Sequence, residues 1–147
     1  MKNNESNKYI SQLNDLLPGL DKYFKLPHSD TFSGIKVTVQ QYLALDKLAR
    51  KGKCMMSDLS SALDIALSTM TELADRLVKK DLITKVRDVK DRRVVWVNFT
   101  EKGARVFQEL KEKKQENIAA ILNKLSQAER KALVGILGII THTADQP

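Results

Sequence analysis

The spacing of the apolar residues changes near Asp81, and this change constrains the fold more than any other feature of the sequence. Before it, apolar residues from Met70 to Leu77 recur at intervals of three and four, as on one face of a helix. After it, residues 82–87 and 94–99 are rich in β-branched side chains and flank a short charged stretch. This pattern is typical of two strands joined by a turn, so the sequence predicts a helix followed directly by a β-hairpin.

Two short helices are predicted just before the hairpin. Ser57 is a favourable N-cap for a helix that carries Leu59 and Leu63. The chain then turns at Asp64-Ile65, before the second helix begins. A helix-turn-helix followed by a two-stranded hairpin is a winged helix.

Further helices are predicted on both sides of this region. The first helix contains Pro18, where we expect a kink or a break because proline removes a helical hydrogen bond. Thr38 and Thr100 are N-caps of later helices, and Ser126 with Glu129 forms a capping-box pattern before the last one. The predicted fold class is mainly α, an α+β winged helix with six helices and a two-stranded β-hairpin wing.

Length and composition exclude several classes of protein. The chain has 147 residues, of which 42% are apolar, which is enough for one domain with a buried core. Its single cysteine, Cys54, excludes a disulfide framework. The longest apolar run, residues 132–140, is far shorter than the roughly 20 residues that a membrane span needs. No secretion signal follows Met1, so we expect a cytoplasmic protein.

The positive charge is concentrated on the predicted winged helix. The net charge is +7, and residues 76–93, with eight basic and three acidic side chains, supply +5 of it. A second basic run, residues 47–53, lies just before the helix pair. Charge placed in this way favours a nucleic-acid partner, because neutralising phosphates gives affinity that does not depend on sequence.

The second helix of the pair presents a polar face opposite Met70, Leu73 and Leu77. Hydroxyl groups can donate to phosphates or base edges, and a glutamate can accept from cytosine in the major groove. Glu72 and Asp75 both lie on this face, so each must either read cytosine or be held away from the DNA backbone. The predicted DNA-contacting residues of this helix are Ser68, Thr69, Thr71, Glu72, Arg76 and Lys79.

The hairpin carries a more specific pattern: Asp-x-Arg, five residues, Phe-Thr, two residues and Gly. The positions are Asp91, Arg93, Phe99, Thr100 and Gly103. This pattern resembles the wing signature of the MarR family of bacterial transcription regulators, with Phe in place of the usual Leu. Residues 68–71 and 75–80 similarly look like the recognition helix of that family, and the resemblance in helix order and length covers roughly residues 9–145.

The resemblance implies a sequence-specific regulator rather than an enzyme. Members of the family are homodimers that bind pseudo-palindromic operators, usually repress, and release DNA when a small molecule or an oxidant acts. By this resemblance, 1–147 is a single domain in which 38–100 bind DNA and 5–36 and 101–147 form the dimerisation helices. The expected partners are double-stranded DNA with an inverted repeat, a second copy and a small-molecule effector, with no cofactor, metal or membrane.

The resemblance also assigns roles in the wing. Arg92 and Arg93 can enter a narrow minor groove, and Asp91 can hold an arginine through a charge-assisted hydrogen bond. The full set predicted to contact DNA from the hairpin is Arg87, Lys90, Asp91, Arg92 and Arg93. Asp81 stands where the family often has Gly, so we expect the recognition helix to end differently, and Val89 replaces a common Pro, which predicts a looser wing tip.

Two residues are candidates for effector chemistry. Tyr42 is the effector candidate, with core or dimer packing as the favoured alternative. Cys54 is a redox candidate, but only Lys53 beside it would lower its pKa, so a buried, inert thiol is favoured. His28 and Asp30 do not define a metal site, and no set of catalytic residues is evident.

Three alternatives to an operator-binding, effector-released regulator stay open. One is a winged helix that contacts an acidic protein and binds no operator. Another is a thiol-based redox-sensing regulator that acts through Cys54. The weakest is a basic protein of the membrane surface, because no predicted helix combines a bulky aromatic face with a dense basic face.

Overall fold

The computed structural model describes residues 2–24 and 34–144. These residues contain six α-helices and one three-stranded antiparallel sheet, which confirms the predicted class. The elements are α1 (Lys2–Phe24), α2 (Val39–Lys51), β1 (Cys54–Met55), α3 (Met56–Leu63), α4 (Leu67–Lys79), β2 (Ile83–Arg87), β3 (Val95–Phe99), α5 (Glu101–Leu122) and α6 (Gln127–Ala144).

The sheet has one strand more than the sequence predicts. Its order is β1-β3-β2, so the hairpin of β2 and β3 gains β1 as a third strand. In β1, Cys54 is opposite Val97 and Met55 is opposite Trp96. A strand of two residues has no periodicity to detect, and its pairing depends on a partner more than 40 positions away along the chain.

The expected break at Pro18 is wrong, because α1 is one continuous helix from Lys2 to Phe24. The proline gives up a single backbone hydrogen bond, and the turns on both sides of it continue the helix. The loop predicted after this helix and His28 lie outside the described residues.

The capping predictions have mixed outcomes. Thr38 begins α2 with a full capping box, and Ser126 with Glu129 forms the predicted box before α6. The N-cap role of Ser57 is wrong, because α3 begins at Met56 and its N-cap is Met55, two residues earlier. The Asp58 carboxylate accepts the backbone N–H of Met55 at 3.1 Å and so satisfies a donor that the helix leaves unpaired.

The chain divides into two compact units, and each is described by itself. We call Lys25–Lys113 the winged-helix unit, and Met1–Phe24 with Lys114–Pro147 the helical unit. The winged-helix unit has a closed apolar core contributed by all of its helices and strands. The largest fully buried side chains are Leu45, Leu48, Leu59, Met70, Leu77, Leu82, Val97, Val106 and Cys54.

The helical unit lacks such a core among its described side chains. In α1 and α6, no side chain whose exposure is described is buried, and large apolar residues on both helices are at least about two-fifths exposed. These residues include Ile10, Leu13, Leu16, Leu17, Leu20, Val134, Ile136, Leu137, Ile139 and Ile140. In the part of the chain that the structure describes, no helix is long and apolar enough to cross a membrane.

Candidate nucleic-acid interface

Helix α4 is fixed by one apolar side and presents the other side to solvent. It follows a turn at Asp64, whose φ of 51° places it in the left-handed region that Asp tolerates better than most residues. Met70, Leu73 and Leu77 are buried, as their spacing predicts. The six side chains predicted to contact DNA from this helix are all exposed: Ser68, Thr69, Thr71, Glu72, Arg76 and Lys79.

The turn after α4 is formed without a glycine. Asp81 takes a left-handed conformation with φ 57°, and its carbonyl accepts a hydrogen bond from the Thr100 hydroxyl. The same hydroxyl accepts the Gly103 N–H at 2.8 Å and caps α5. Thr100 therefore connects the end of the recognition helix with the helix that follows the wing.

Asp75 is neutralised from the wing. Its carboxylate forms an ion pair with the Lys85 ammonium of β2, so a residue of the wing compensates the charge of this acidic group. Glu72 instead lines a small cleft of about 70 Å³ with Thr38, Thr69 and Arg76. The two carboxylates of α4 thus have different environments, which the sequence pattern does not distinguish.

A larger cleft of about 420 Å³ lies between α4 and the wing. Thr71 lines it from α4, while Lys85 and Arg87 line it from β2 and Arg93 from the wing tip. Residues predicted on two separate elements are therefore brought to one concave, positively charged surface. The Lys85–Asp75 pair connects the two elements beside this cleft.

At the wing tip, Asp91 holds Arg93 through both carboxylate oxygens. Arg93 Nε and Nη2 donate to Asp91 Oδ1 and Oδ2, each at 3.1 Å, and the Arg93 N–H also donates to Oδ1 at 3.0 Å. These hydrogen bonds lower the pKa of Asp91. The Arg93 side chain is 91% exposed, so the pair adds little stability but fixes the direction of the guanidinium.

Asp88 is a site residue that the sequence analysis missed. Its Oδ2 accepts the backbone N–H groups of Lys90 and Asp91 at 3.1 and 3.0 Å, and its Oδ1 accepts Nε1 of Trp96 at 3.1 Å. The Asp91 N–H and the indole lower the pKa of Asp88. An Asp at the start of a polar turn is the available signal, because Asp side chains commonly bond to backbone N–H groups ahead of them.

The second basic run, residues 47–53, is largely engaged by local partners. Arg50 pairs with Asp46 at 2.8 Å, and Lys51 pairs with Asp58 at 3.3 Å. The Lys53 ammonium lies 4.7 Å from the centre of the Trp96 ring. These contacts give the run structural roles, which its charge alone does not reveal.

Tyr42 and Cys54 are both buried in the winged-helix unit. The Tyr42 ring packs 5.6 Å from that of Phe107, and burial raises its pKa. Cys54 is 1% exposed, and burial followed by the nearby Asp58 raises the pKa of its thiol. Both environments favour packing over effector chemistry, because a reactive cysteine needs exposure and a lowered pKa. No cluster of metal-ligating side chains occurs within residues 2–24 and 34–144.

Comparisons with known proteins agree with this site. A family model described as "MarR family" matches residues 37–95, which include α2 to the start of β3. The regulator YpoP of Bacillus subtilis is 30% identical over 94 residues, which cover 64% of this chain and 67% of YpoP. The transcriptional repressor MdtR of the same organism is 28% identical over 109 residues, which cover 74% of this chain and 70% of MdtR.

The fold is also that of a solved structure. A MarR family protein from Bacillus stearothermophilus has a TM-score of 0.75 and 27% identity, and the match covers 95% of this chain and 98% of the other. Proteins of this family are transcriptional regulators that bind DNA, not enzymes. The chain is a member of the MarR family of winged-helix transcription regulators.

Proposed function

We propose that the protein is a cytoplasmic repressor that binds pseudo-palindromic operators as a homodimer and leaves them when a small molecule binds. One observation carries the DNA-binding part of this proposal: Thr71 of α4 lines the same cleft as Arg87 and Arg93 of the wing. A winged helix uses these two elements to read adjacent grooves, so their placement on one surface favours duplex DNA over an acidic protein.

Helix α4 lies in the major groove in this proposal. Ser68 and Thr69 offer hydroxyl donors to phosphates or base edges, and Glu72 can accept from a cytosine amino group. Thr71 donates to the Leu67 carbonyl at 2.9 Å, which leaves its oxygen as an acceptor. Arg76 and Lys79, in the last turn of the helix, contact phosphates.

The wing supplies minor-groove and backbone contacts. Arg92 and Arg93 enter the narrow groove, where the negative potential is strongest, and Asp91 sets the direction of Arg93. Arg87 and Lys90 neutralise phosphates on either side of the tip. Charge from β2 and the wing tip thus contributes to affinity that falls steeply as salt rises.

A second copy covers the apolar faces of α1 and α6 in this proposal. Exposed apolar surface of this extent marks a protein interface, because it costs free energy in water. In this proposal the dimerisation region comprises 5–36 and 101–147, and 38–100 bind DNA. Two recognition helices then lie about one turn of DNA apart, which matches an inverted repeat.

The regulatory part of the proposal draws on relatives. MdtR is named as a repressor, and DNA binding by BpsR of Bordetella bronchiseptica is regulated by 6-hydroxynicotinic acid. We propose repression because a dimer bound to a promoter excludes other proteins from it. Tyr42 remains the effector candidate to test, although its burial requires the effector to open the core.

The test is selection of bound fragments of the source genome by the purified protein, followed by affinity measurements across a salt series. We expect an inverted repeat with half-sites about 10 base pairs apart. Replacing both Arg92 and Arg93 with Ala should weaken operator binding by more than about tenfold and reduce the salt dependence.

A matched control removes the same charge elsewhere. Arg105 and Lys111 are exposed on α5, and replacing both with Ala should leave operator affinity near that of the wild type. Unchanged affinity in the Arg92/Arg93 variant contradicts the assigned wing role. Failure of the wild type to bind any DNA at low salt instead favours a protein-contact module.

A further inference from the structure

The wing tip is attached to the rest of the sheet through one carboxylate. Asp88 lies between the end of β2 and the tip, and its Oδ2 binds the two backbone N–H groups that form the turn. Its Oδ1 accepts the indole N–H of Trp96, the second of the five residues of β3. The conformation of the turn is therefore coupled to a side chain on the opposite strand.

Trp96 is itself held from the helix-turn-helix side. Met55 of β1 is its partner across the sheet, and the Lys53 ammonium lies 4.7 Å from the centre of the ring. A cation over an aromatic face is attracted by the negative potential of the ring. The half-buried indole is thus contacted by Lys53 and Met55, which lead into α3.

The contacts continue from the indole to the arginine at the tip. Trp96 donates to Asp88, Asp88 accepts the Asp91 N–H, and the Asp91 carboxylate binds the Arg93 guanidinium in a bidentate manner. Arg93 is almost fully exposed, so no packing against a core fixes its direction. The only constraints that the described contacts place on it run through Asp91 and the turn.

We propose that Trp96 and Asp88 are positioning residues for DNA binding, which set the direction in which the wing presents Arg93 to the duplex. This inference rests on the proposed operator-binding function. The role needs an indole, because phenylalanine keeps the ring but has no N–H to donate. Preorganisation of this kind lowers the entropy that an exposed arginine loses on binding.

The first experiment measures operator affinity of Trp96→Phe by fluorescence anisotropy of labelled operator DNA. Without this hydrogen bond Arg93 is less preorganised and loses more rotamer freedom on binding, which should weaken binding by about 2- to 12-fold. Asp88→Asn should bind better than Asp88→Ala, because the amide oxygen can still accept one of these hydrogen bonds. Asp46→Ala, which removes a carboxylate from the exposed pair with Arg50, should bind as the wild type does.

A double-mutant cycle separates positioning from general damage to the fold. If Trp96 acts through Arg93, then Trp96→Phe should have little further effect in an Arg93→Ala background. Full additivity of the two losses would overturn the proposed role, as would wild-type affinity of Trp96→Phe itself. A wild-type protein that binds no DNA would overturn the operator-binding function first, and the positioning role with it.

A second readout needs no DNA. Trp96 is the only tryptophan, so the intrinsic tryptophan emission comes from this side chain alone. Asp88→Ala should shift the emission maximum of the folded, DNA-free protein, whereas Asp46→Ala should not. Identical spectra for Asp88→Ala and the wild type would overturn the coupling between the indole and the wing turn.

Discussion

Two leucines show how differently the two units of this protein are built. Leu45 in α2 of the winged-helix unit is completely buried, whereas Leu17 in α1 of the helical unit is 52% exposed. Both lie at helical spacings that predict an apolar face. The same apolar spacing thus forms part of a closed core in α2 and an exposed apolar face in α1.

The winged-helix unit satisfies its polar groups as well as its apolar ones. Among the described residues, no buried side-chain nitrogen or oxygen lacks a hydrogen-bond partner. Buried Gln41, for example, accepts from the Thr38 N–H at 3.1 Å and from the Lys80 ammonium at 2.8 Å. This unit therefore closes its own core, whereas the helical unit leaves large apolar side chains exposed.

The largest expected effect comes from truncating the two leucines. Leu45→Ala should lower the free energy of unfolding by about 2–5 kcal/mol, because it leaves a cavity in a closed core. Leu17→Ala removes a side chain that is half exposed in one chain, so its effect should come through the dimer. Denaturant titrations at several protein concentrations measure both.

The two variants should respond differently to concentration. The loss in Leu45→Ala should persist at every protein concentration, and the loss in Leu17→Ala should shrink as dilution separates the wild-type dimer. A concentration-independent loss in Leu17→Ala, as large as that of Leu45→Ala, would show that α1 is part of a closed single-chain core.

Replacing two helical glycines with alanine, one in each unit, should have a smaller effect on the free energy of unfolding. A Cβ on Gly103 of α5 would lie 1.8 Å from the carbonyl oxygen of Leu82, so Gly103→Ala should cost about 1–3 kcal/mol. Gly135 of α6 has no atom within 4 Å of that position in the described chain, and Gly135→Ala should stabilise by about 0.5–1 kcal/mol. Thermal unfolding of both variants sharpens the comparison.

Opposite signs for the two glycines would match a packed winged-helix unit and an open helical unit. A destabilising Gly135→Ala would instead place a closely approaching surface at α6. Wild-type stability in Gly103→Ala would contradict the close approach of α5 to the end of the recognition helix.

The smallest effect concerns the cap of α3 and its dependence on pH. The Met55 N–H lowers the pKa of Asp58 in the folded protein. The stability contributed by the ionised Asp58 carboxylate is therefore present above the unfolded pKa of about 3.9. It is lost as pH falls through the lower pKa of the folded protein. Asp58→Ala should cost about 1 kcal/mol at pH 7.

The quantity to measure is the difference in free energy of unfolding between Asp58→Ala and the wild type. Urea titrations from pH 7 down to pH 3 should show it shrinking on the acid side of pH 4. Ser57→Ala, at the residue that the sequence favours as N-cap, is the matched control and should be near neutral. A difference that stays constant with pH would mean that the Asp58 carboxylate is not the cap.

Local chemistry made much of the fold predictable. The apolar spacing of α4, the β-branched strands of the wing and the capping box at Thr38 each depend on neighbours within a few residues. The exposed face of α4 follows from the same spacing. Two predictions that rested on one local signal failed. At Pro18 the neighbouring turns continue the helix, and near Ser57 the Asp58 carboxylate binds the Met55 N–H and caps α3 earlier.

Contacts between distant segments could not be predicted in this way. The Lys85–Asp75 pair, the Trp96–Asp88 hydrogen bond and the pairing of β1 with β3 join residues on different elements. Of these contacts, the Lys85–Asp75 pair changes the charge that the candidate site presents. Eight basic residues in one window indicate a polyanionic partner, but not which of them face it.

The sequence by itself determined the order of the elements, the buried side of the recognition helix and the positive wing. These properties follow from backbone propensity and periodicity, which act over one or two turns. The burial that the sequence favours for Cys54 is confirmed. Only the tertiary structure decided that Asp75 pairs with Lys85 and that Trp96 donates to Asp88 beside the wing tip. Burial and ion pairing depend on what the fold brings within a few ångströms, and that proximity is not encoded in any local pattern.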